Sequence, residues 1–192
     1  HQKPEQMIKR ISALSAQERR AFLAELLAKR AGGHKPAPLS FAQERMWFID
    51  QLQPGSSAYN LIDNRRMHGP LDGSTLERSI HELVNRHEVL RTIFVSEQGQ
   101  PAQLVLPALT IPLNVIDLSS LPVTQLEEEV RRLVEEEGRR HFDLAKGPLI
   151  RTTLLRLAPE DNFFLLNMHH IISDGWSVGV FYRELEAIYS AI

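Results

Sequence analysis

Apolar residues recur along this chain with two periods, near 3.6 and near 2, and the switches between them mark out its elements. Across positions 4–31 the spacing is helical. Met7, Ile8, Ile11 and Leu14 share one face, and Ser15 with Glu18 makes a capping box ahead of Phe22, Leu23, Leu26 and Leu27. Gly32-Gly33 ends that pattern, and the Gly- and Pro-bearing stretch from Ala31 to Pro38 predicts a boundary. Residues 1–35 therefore read as a helical linker or docking element, and 36–192 as a globular unit.

Ser40 is a favourable N-cap with Gln43 three residues on, and Phe41, Met46, Trp47, Ile49 and Leu52 make a short apolar helix stopped at Pro54-Gly55. A strand is predicted over Tyr59–Met67. Leu76, Ile80, Leu83 and Val84 repeat at helical spacing from Gly73 to about His87, and Arg91–Ser96 with Ala102–Leu106 flank a turn at Gly99 as in a hairpin. Leu113–Leu118 reads as a further strand. Thr124–Arg140 reads as a helix with its apolar stripe on Leu126, Val130, Leu133 and Val134. Leu149–Leu157 and Phe163–His169 are apolar, β-friendly runs joined by a turn over Ala158 to Asn162. Val178, Phe181, Tyr182, Leu185, Ile188 and Tyr189 then form the buried face of a last helix. This irregular interleaving predicts an α+β (α/β sandwich) fold, a mixed sheet covered by helices, rather than a bundle or an all-β sandwich.

Composition narrows the functional classes. With 43% hydrophobic and 24% charged residues the 192-residue chain has the make-up of a globular protein. A net charge of −2, with basic residues scattered rather than clustered, argues against nucleic acid and anionic membranes as partners. The absence of cysteine removes disulfides, thiolate nucleophiles and thiolate-bound metal, and fits a cytoplasmic protein. The first residues lack an apolar signal core, and apolar runs such as Phe163 to Leu166 are far too short to span a bilayer. A start without methionine and an end inside a helical pattern suggest a piece of a longer polypeptide.

The chemistry concentrates between the last strand and the last helix, in Met168-His169-His170-Ile171-Ile172-Ser173-Asp174-Gly175. Strand alternation sends the two histidines to opposite faces, so one can serve a cleft while the other is packed inside. Adjacent strand histidines splay apart and no third ligand has conventional spacing, so no metal site is expected. Ser173 lacks the surroundings of a Gly-x-Ser-x-Gly elbow, which argues against a covalent acyl-enzyme.

Three separated stretches together resemble one family, the condensation domains of non-ribosomal peptide synthetases, whose fold is similar to chloramphenicol acetyltransferase. Ser40-Phe41-Ala42-Gln43-Glu44-Arg45-Met46-Trp47 resembles its first core motif, Arg86-His87-Glu88-Val89-Leu90-Arg91-Thr92-Ile93-Phe94 the second, and Met168 to Ser177 the third. The resemblance runs from about Pro38 to the end and implies the N-terminal of two related lobes, with the C-terminal lobe absent.

It further implies an acyltransferase that forms an amide between two thioesters, each carried on the phosphopantetheine arm of a donor or acceptor carrier domain, with no cofactor or metal bound by this chain. Other partners would be the missing lobe and neighbouring synthetase domains. His170 would be the catalytic histidine and Gly175 would allow close backbone approach near the reacting carbonyl. His169 and Asp174 would support the site, with Arg91, in preference to Arg86, pairing Asp174. Imidazole chemistry fits such a reaction, since histidine can accept or share a proton near neutral pH, although base and positioner remain open as roles. The resemblance equally implies, as alternatives, a relative using the same loop for epimerisation, ester formation or transfer to a free acceptor, and the helical leader suggests a non-catalytic binding or docking module. Ser40, Gln43, Arg45 and Trp47 are read as structural, by way of a capped helix.

Overall fold

The computed structural model describes residues 36–97 and 99–192. The helix expected over 4–31 lies outside the described residues. Strand β1 is Ala37–Pro38, helix α1 Phe41–Leu52, β2 Asn60–His68, α2 Gly73–Arg86, β3 Thr92–Glu97, β4 Gln100–Val105, β5 Leu113–Asp117, α3 Val123–Arg139, β6 Ile150–Ala158, β7 Asp161–His169 and α4 Gly175–Ala191. A 3₁₀ turn, Glu88–Arg91, links α2 to β3.

The strands form two sheets. One is four-stranded and mixed, in the order β2-β7-β6-β5, with β5 parallel to β6 and the other pairs antiparallel. The other is a small antiparallel sheet, β1-β4-β3, in which β3 and β4 form the expected hairpin with Gly99 at φ +84°. The two-residue β1 falls in a stretch whose Gly-Pro composition reads as linker. The β6–β7 turn is tighter than its composition suggests, because Ala158 and Asp161 still pair across it.

The larger sheet is covered on both sides, which explains why β6 and β7 read as near-continuous apolar runs. Leu154, Phe164, Leu166 and Met168 pack with Leu76, Ile80 and Leu83 of α2 and Val178, Phe181 and Leu185 of α4. From the opposite face Leu155 and Leu157 pack under Leu126 and Val130 of α3. Gly138 lets α3 approach β2 closely, for a Cβ there would stand 2.7 Å from Ile62 Cδ1.

The α3 face also holds a buried polar node. The Glu137 side chain, 8% exposed, pairs with Arg151 of β6 and with Arg140 at 2.8 Å. Asn167 Nδ2 of β7 donates to Glu137 Oε1 and to its carbonyl, both at 3.0 Å. The Arg151 guanidinium lies 3.7 Å from the centre of the Phe142 ring, and burial lowers its pKa against the raising effect of Glu137. Helix, two central strands and the chain following α3 are thus tied together directly beneath the end of β7.

Candidate active site

β7 is an inner strand of its sheet, and its register against β2 brings His169 opposite Asn60. Alternation along β7 carries Met168 into the α2/α4 core and His169 to the α3 side, so the strand delivers one histidine inward and ends. His169 is 3% exposed, with the Phe142 ring at 6.2 Å edge-on and the Tyr59 ring tilted at 6.1 Å. Its Nδ1 accepts the Ile171 N–H at 3.1 Å. An accepting Nδ1 means an unprotonated one, and burial, with the neighbouring His170 adding to it, holds the His169 pKa down at about 4.

His170 has the opposite arrangement. Its backbone N–H donates to the Tyr59 carbonyl at 2.8 Å, and its Nδ1 lies 3.0 Å from the Ser173 carbonyl oxygen. A carbonyl only accepts, so Nδ1 carries the proton, and in the neutral ring Nε2 is left as the basic nitrogen. Nε2 has no hydrogen-bond partner among the described residues. The turn that fixes this ring is itself closed by Ile172 N–H and Ser173 Oγ, both donating to the His169 carbonyl at 3.0 Å.

His170 lines an open cleft of about 400 Å³ together with Ser40, Gln43 and Met46 of the α1 end, Val89, and Ser173. The sequence predicts a structural role for α1, and its capping box is present: Ser40 Oγ accepts the Gln43 N–H, and Gln43 Oε1 accepts the Ser40 N–H at 2.9 Å. Gln43 does more than cap. Its Nε2 donates to the Ile171 carbonyl at 3.4 Å, so the first motif both walls the cleft and steadies the histidine turn. A glutamine at N3 signals only a cap, so sequence reasoning had no means of seeing the second contact.

The expected Asp174–Arg91 pair is not formed. Asp174 is the N-cap of α4: its Oδ1 accepts the Ser177 N–H at 2.8 Å, while Ser177 Oγ accepts the Asp174 N–H at 2.8 Å. Those Ser177 bonds hold its carboxyl below the usual carboxylate range, so no cation is required. The 3₁₀ turn points Arg91 elsewhere, with Nη1 donating to the Leu106 carbonyl and Nη2 3.5 Å from Glu88. Arg86, the rival, lies 3.5 Å from Glu184 of α4, which also takes His87 Nε2 at 2.9 Å. Arg91 thus supports the 3₁₀ turn and the end of β4, and reaches the site only through them. Gly175 opens α4, and a Cβ there would meet nothing within 4 Å, so no packing among the described residues demands a glycine.

Among the described residues no group of three or more His, Cys, Asp or Glu side chains is gathered as a metal site. Nor is any described helix long and apolar enough to cross a membrane.

A family profile described as Condensation domain matches residues 34–192. The chain is 48% identical over 154 residues to a linear gramicidin synthase of Brevibacillus parabrevis, an alignment taking in 80% of this chain and 3% of that protein. It is 41% identical over 193 residues to phosphinothricin tripeptide synthetase PhsC of Streptomyces viridochromogenes, covering 95% of this chain and 18% of that protein. Among solved structures, the first condensation domain of the CDA synthetase superposes with a TM-score of 0.76 at 26% identity, over 82% of this chain and 40% of that one. The starter condensation domain of rhizomide synthetase RzmA gives 0.76 at 23% identity, over 82% and 38%, a likeness of fold alone. The chain spans less than half the length of each of these. By sequence and by shape, it belongs to the condensation-domain family of nonribosomal peptide synthetases.

Proposed function

We propose that this chain supplies the histidine-bearing half of a site that forms an amide between two carrier-bound acyl thioesters, with His170 acting on the acceptor amine. The observation that carries the proposal is the bond from His170 Nδ1 to the Ser173 carbonyl, which leaves Nε2 as a fixed acceptor beside the cleft. The amine donates to Nε2, which orients its lone pair toward the donor thioester carbon. The C–N bond forms, Nε2 takes a proton as the tetrahedral species develops, and the C–S bond breaks, the sulfur leaving as a thiol with that proton. Gly175, with open space over its Cα, leaves room for the reacting carbonyl at the start of α4.

In this reading the partners are donor and acceptor carrier domains bearing phosphopantetheine thioesters and a second lobe that closes the cleft, all working in the cytoplasm. One wall aligns the reactants poorly, so the 192-residue chain alone is an inactive acyltransferase half. The test is His170→Ala in the synthetase containing this chain, with charged carriers and product measured by mass spectrometry. Turnover is expected to fall by roughly 10²–10⁴ with the thermal unfolding temperature nearly unchanged. Wild-type turnover in the variant rules the role out.

A further inference from the structure

A second, smaller cavity opens next to the histidine cleft. It measures about 140 Å³, and Leu83, Leu90, Ile172, Trp176, Val180 and Phe181 contribute apolar walls to it. Val89, Ile172 and Ser177 line both this cavity and the His170 cleft, so the two lie side by side across a shared wall. Among the described residues its only other polar lining residue is His87, whose Nε2 is already engaged by Glu184 at 2.9 Å. An apolar cavity of about 150 Å³ admits a molecule of benzene, so this half-open one has room for a single branched or aromatic side chain and little more. Trp176 stands at its edge 81% exposed, a large apolar surface that solvent covers poorly unless something is brought against it.

We propose that this cavity is a side-chain pocket: it receives the apolar side chain, of leucine or phenylalanine size, of an aminoacyl group held at His170. The proposal rests on the amide-forming reading above and adds the substrate class. Its placement follows from chain geometry. Trp176 and Val180 belong to the first turns of α4, which begins five residues after His170, while Val89 and Leu90 come from the 3₁₀ turn facing it. A group whose carbonyl lies beside His170 therefore has its side chain one short step from the cavity mouth. The pocket also gives the second sequence motif a function that the missing Asp174–Arg91 pair had left unfilled, since His87, Val89 and Leu90 all come from it.

The test uses the synthetase containing this chain, with leucyl and alanyl thioesters competing for incorporation. In one arm they compete on the donor carrier against a glycyl acceptor, and in the other on the acceptor carrier with a single fixed donor. Wild type is expected to prefer leucyl by roughly 10-fold or more in one arm, and that arm identifies which substrate uses the pocket. Val180→Phe fills the cavity and Trp176→Ala removes a wall, and each is expected to bring the ratio close to one. Because the Trp176 side chain packs little against its own lobe, its truncation leaves that lobe's fold intact and decides the matter even where Val180→Phe fails to fold, an unchanged thermal unfolding temperature of the variant being the control. A wild-type ratio near one in both arms, or a ratio unmoved by Trp176→Ala, overturns the pocket. His170→Ala run alongside separates the two readings: persisting amide formation there defeats the histidine role, whereas its loss together with an unmoved leucyl preference in Trp176→Ala defeats the pocket alone.

Discussion

Acid is expected to loosen this fold in a pH range that ordinary carboxylates do not govern, and His169 is the reason. Folding takes its imidazole from water into a space between Tyr59 and Phe142 and requires Nδ1 to accept the Ile171 N–H, both of which oppose protonation. Its pKa falls from 6.5 to about 4. Between those values the unfolded chain binds a proton that the folded chain does not, so stability rises with pH. The contribution is fully present above about pH 6.5 and is lost as the pH drops to about 4. At about 1.4 kcal/mol per pH unit that interval corresponds to roughly 3 kcal/mol, a sizeable share of the 5–15 kcal/mol typical of a domain. Urea unfolding followed by the fluorescence of Trp47 and Trp176, repeated at half-unit steps from about pH 7.5 to 4, gives the slope. His169→Asn keeps a side-chain oxygen near the Nδ1 position but cannot titrate. It is expected to be weaker than wild type at the upper end of that range, having lost the ring, and to show a slope flatter by about that amount over the interval. Parallel curves for the two proteins would refute the assignment, whatever their absolute stabilities.

Glu137→Ala leaves the Arg151 guanidinium, 19% exposed, without its carboxylate, and is expected to cost roughly 3–5 kcal/mol in urea unfolding, with Glu137→Gln costing less; equal losses would mean the charge is idle. Gly138→Ala gains about 1 kcal/mol of helix propensity but drives its Cβ against Ile62 Cδ1, so it is expected to destabilise wild type and to become neutral or stabilising in an Ile62→Val background; an effect independent of background defeats the close-approach argument. Asp174→Ala is expected to lower the unfolding temperature and Asp174→Asn to leave it almost unchanged, because asparagine also caps. Combined with Arg91→Met, the Asp174→Ala loss is expected to add without coupling; a clear coupling energy would reinstate the ion pair that the geometry denies.

What could be read from residues alone divides along the range of the interactions involved. α2, α3 and α4 were legible because each buries one stripe, and a stripe is a local pattern; Leu76, Ile80 and Leu83 announce their helix whatever lies opposite. The Ser40 and Gln43 cap was legible for the same reason. Strand β1 was not, because two residues have no period and Ala37–Pro38 is a strand only through its partner Gln103–Ala102, far along the chain. The division into two sheets was hidden likewise, since pairing is chosen by tertiary packing rather than by either strand's own composition.

The site shows the same boundary inside a single loop. Alternation separates the two histidines but does not say which is packed; His169, the last residue of β7, is the buried one, and His170 already belongs to the turn. The pairing of Asp174 with Arg91 rested instead on charge complementarity, which says that two groups can meet but not that the backbone lets them. An aspartate immediately before a helix has a nearer partner in the N–H three residues on, and Ser177 supplies it at 2.8 Å with no ordering of a long side chain. Arg91, at the end of a 3₁₀ turn, is likewise captured by the Leu106 carbonyl before any carboxylate across the cleft can compete. Local backbone partners take precedence over distant charges here. That precedence is what leaves the His170 ring free of a carboxylate: with Asp174 committed to α4 and the Ser173 carbonyl engaged by Nδ1, Nε2 keeps no partner among the described residues and the ring lines the open cleft.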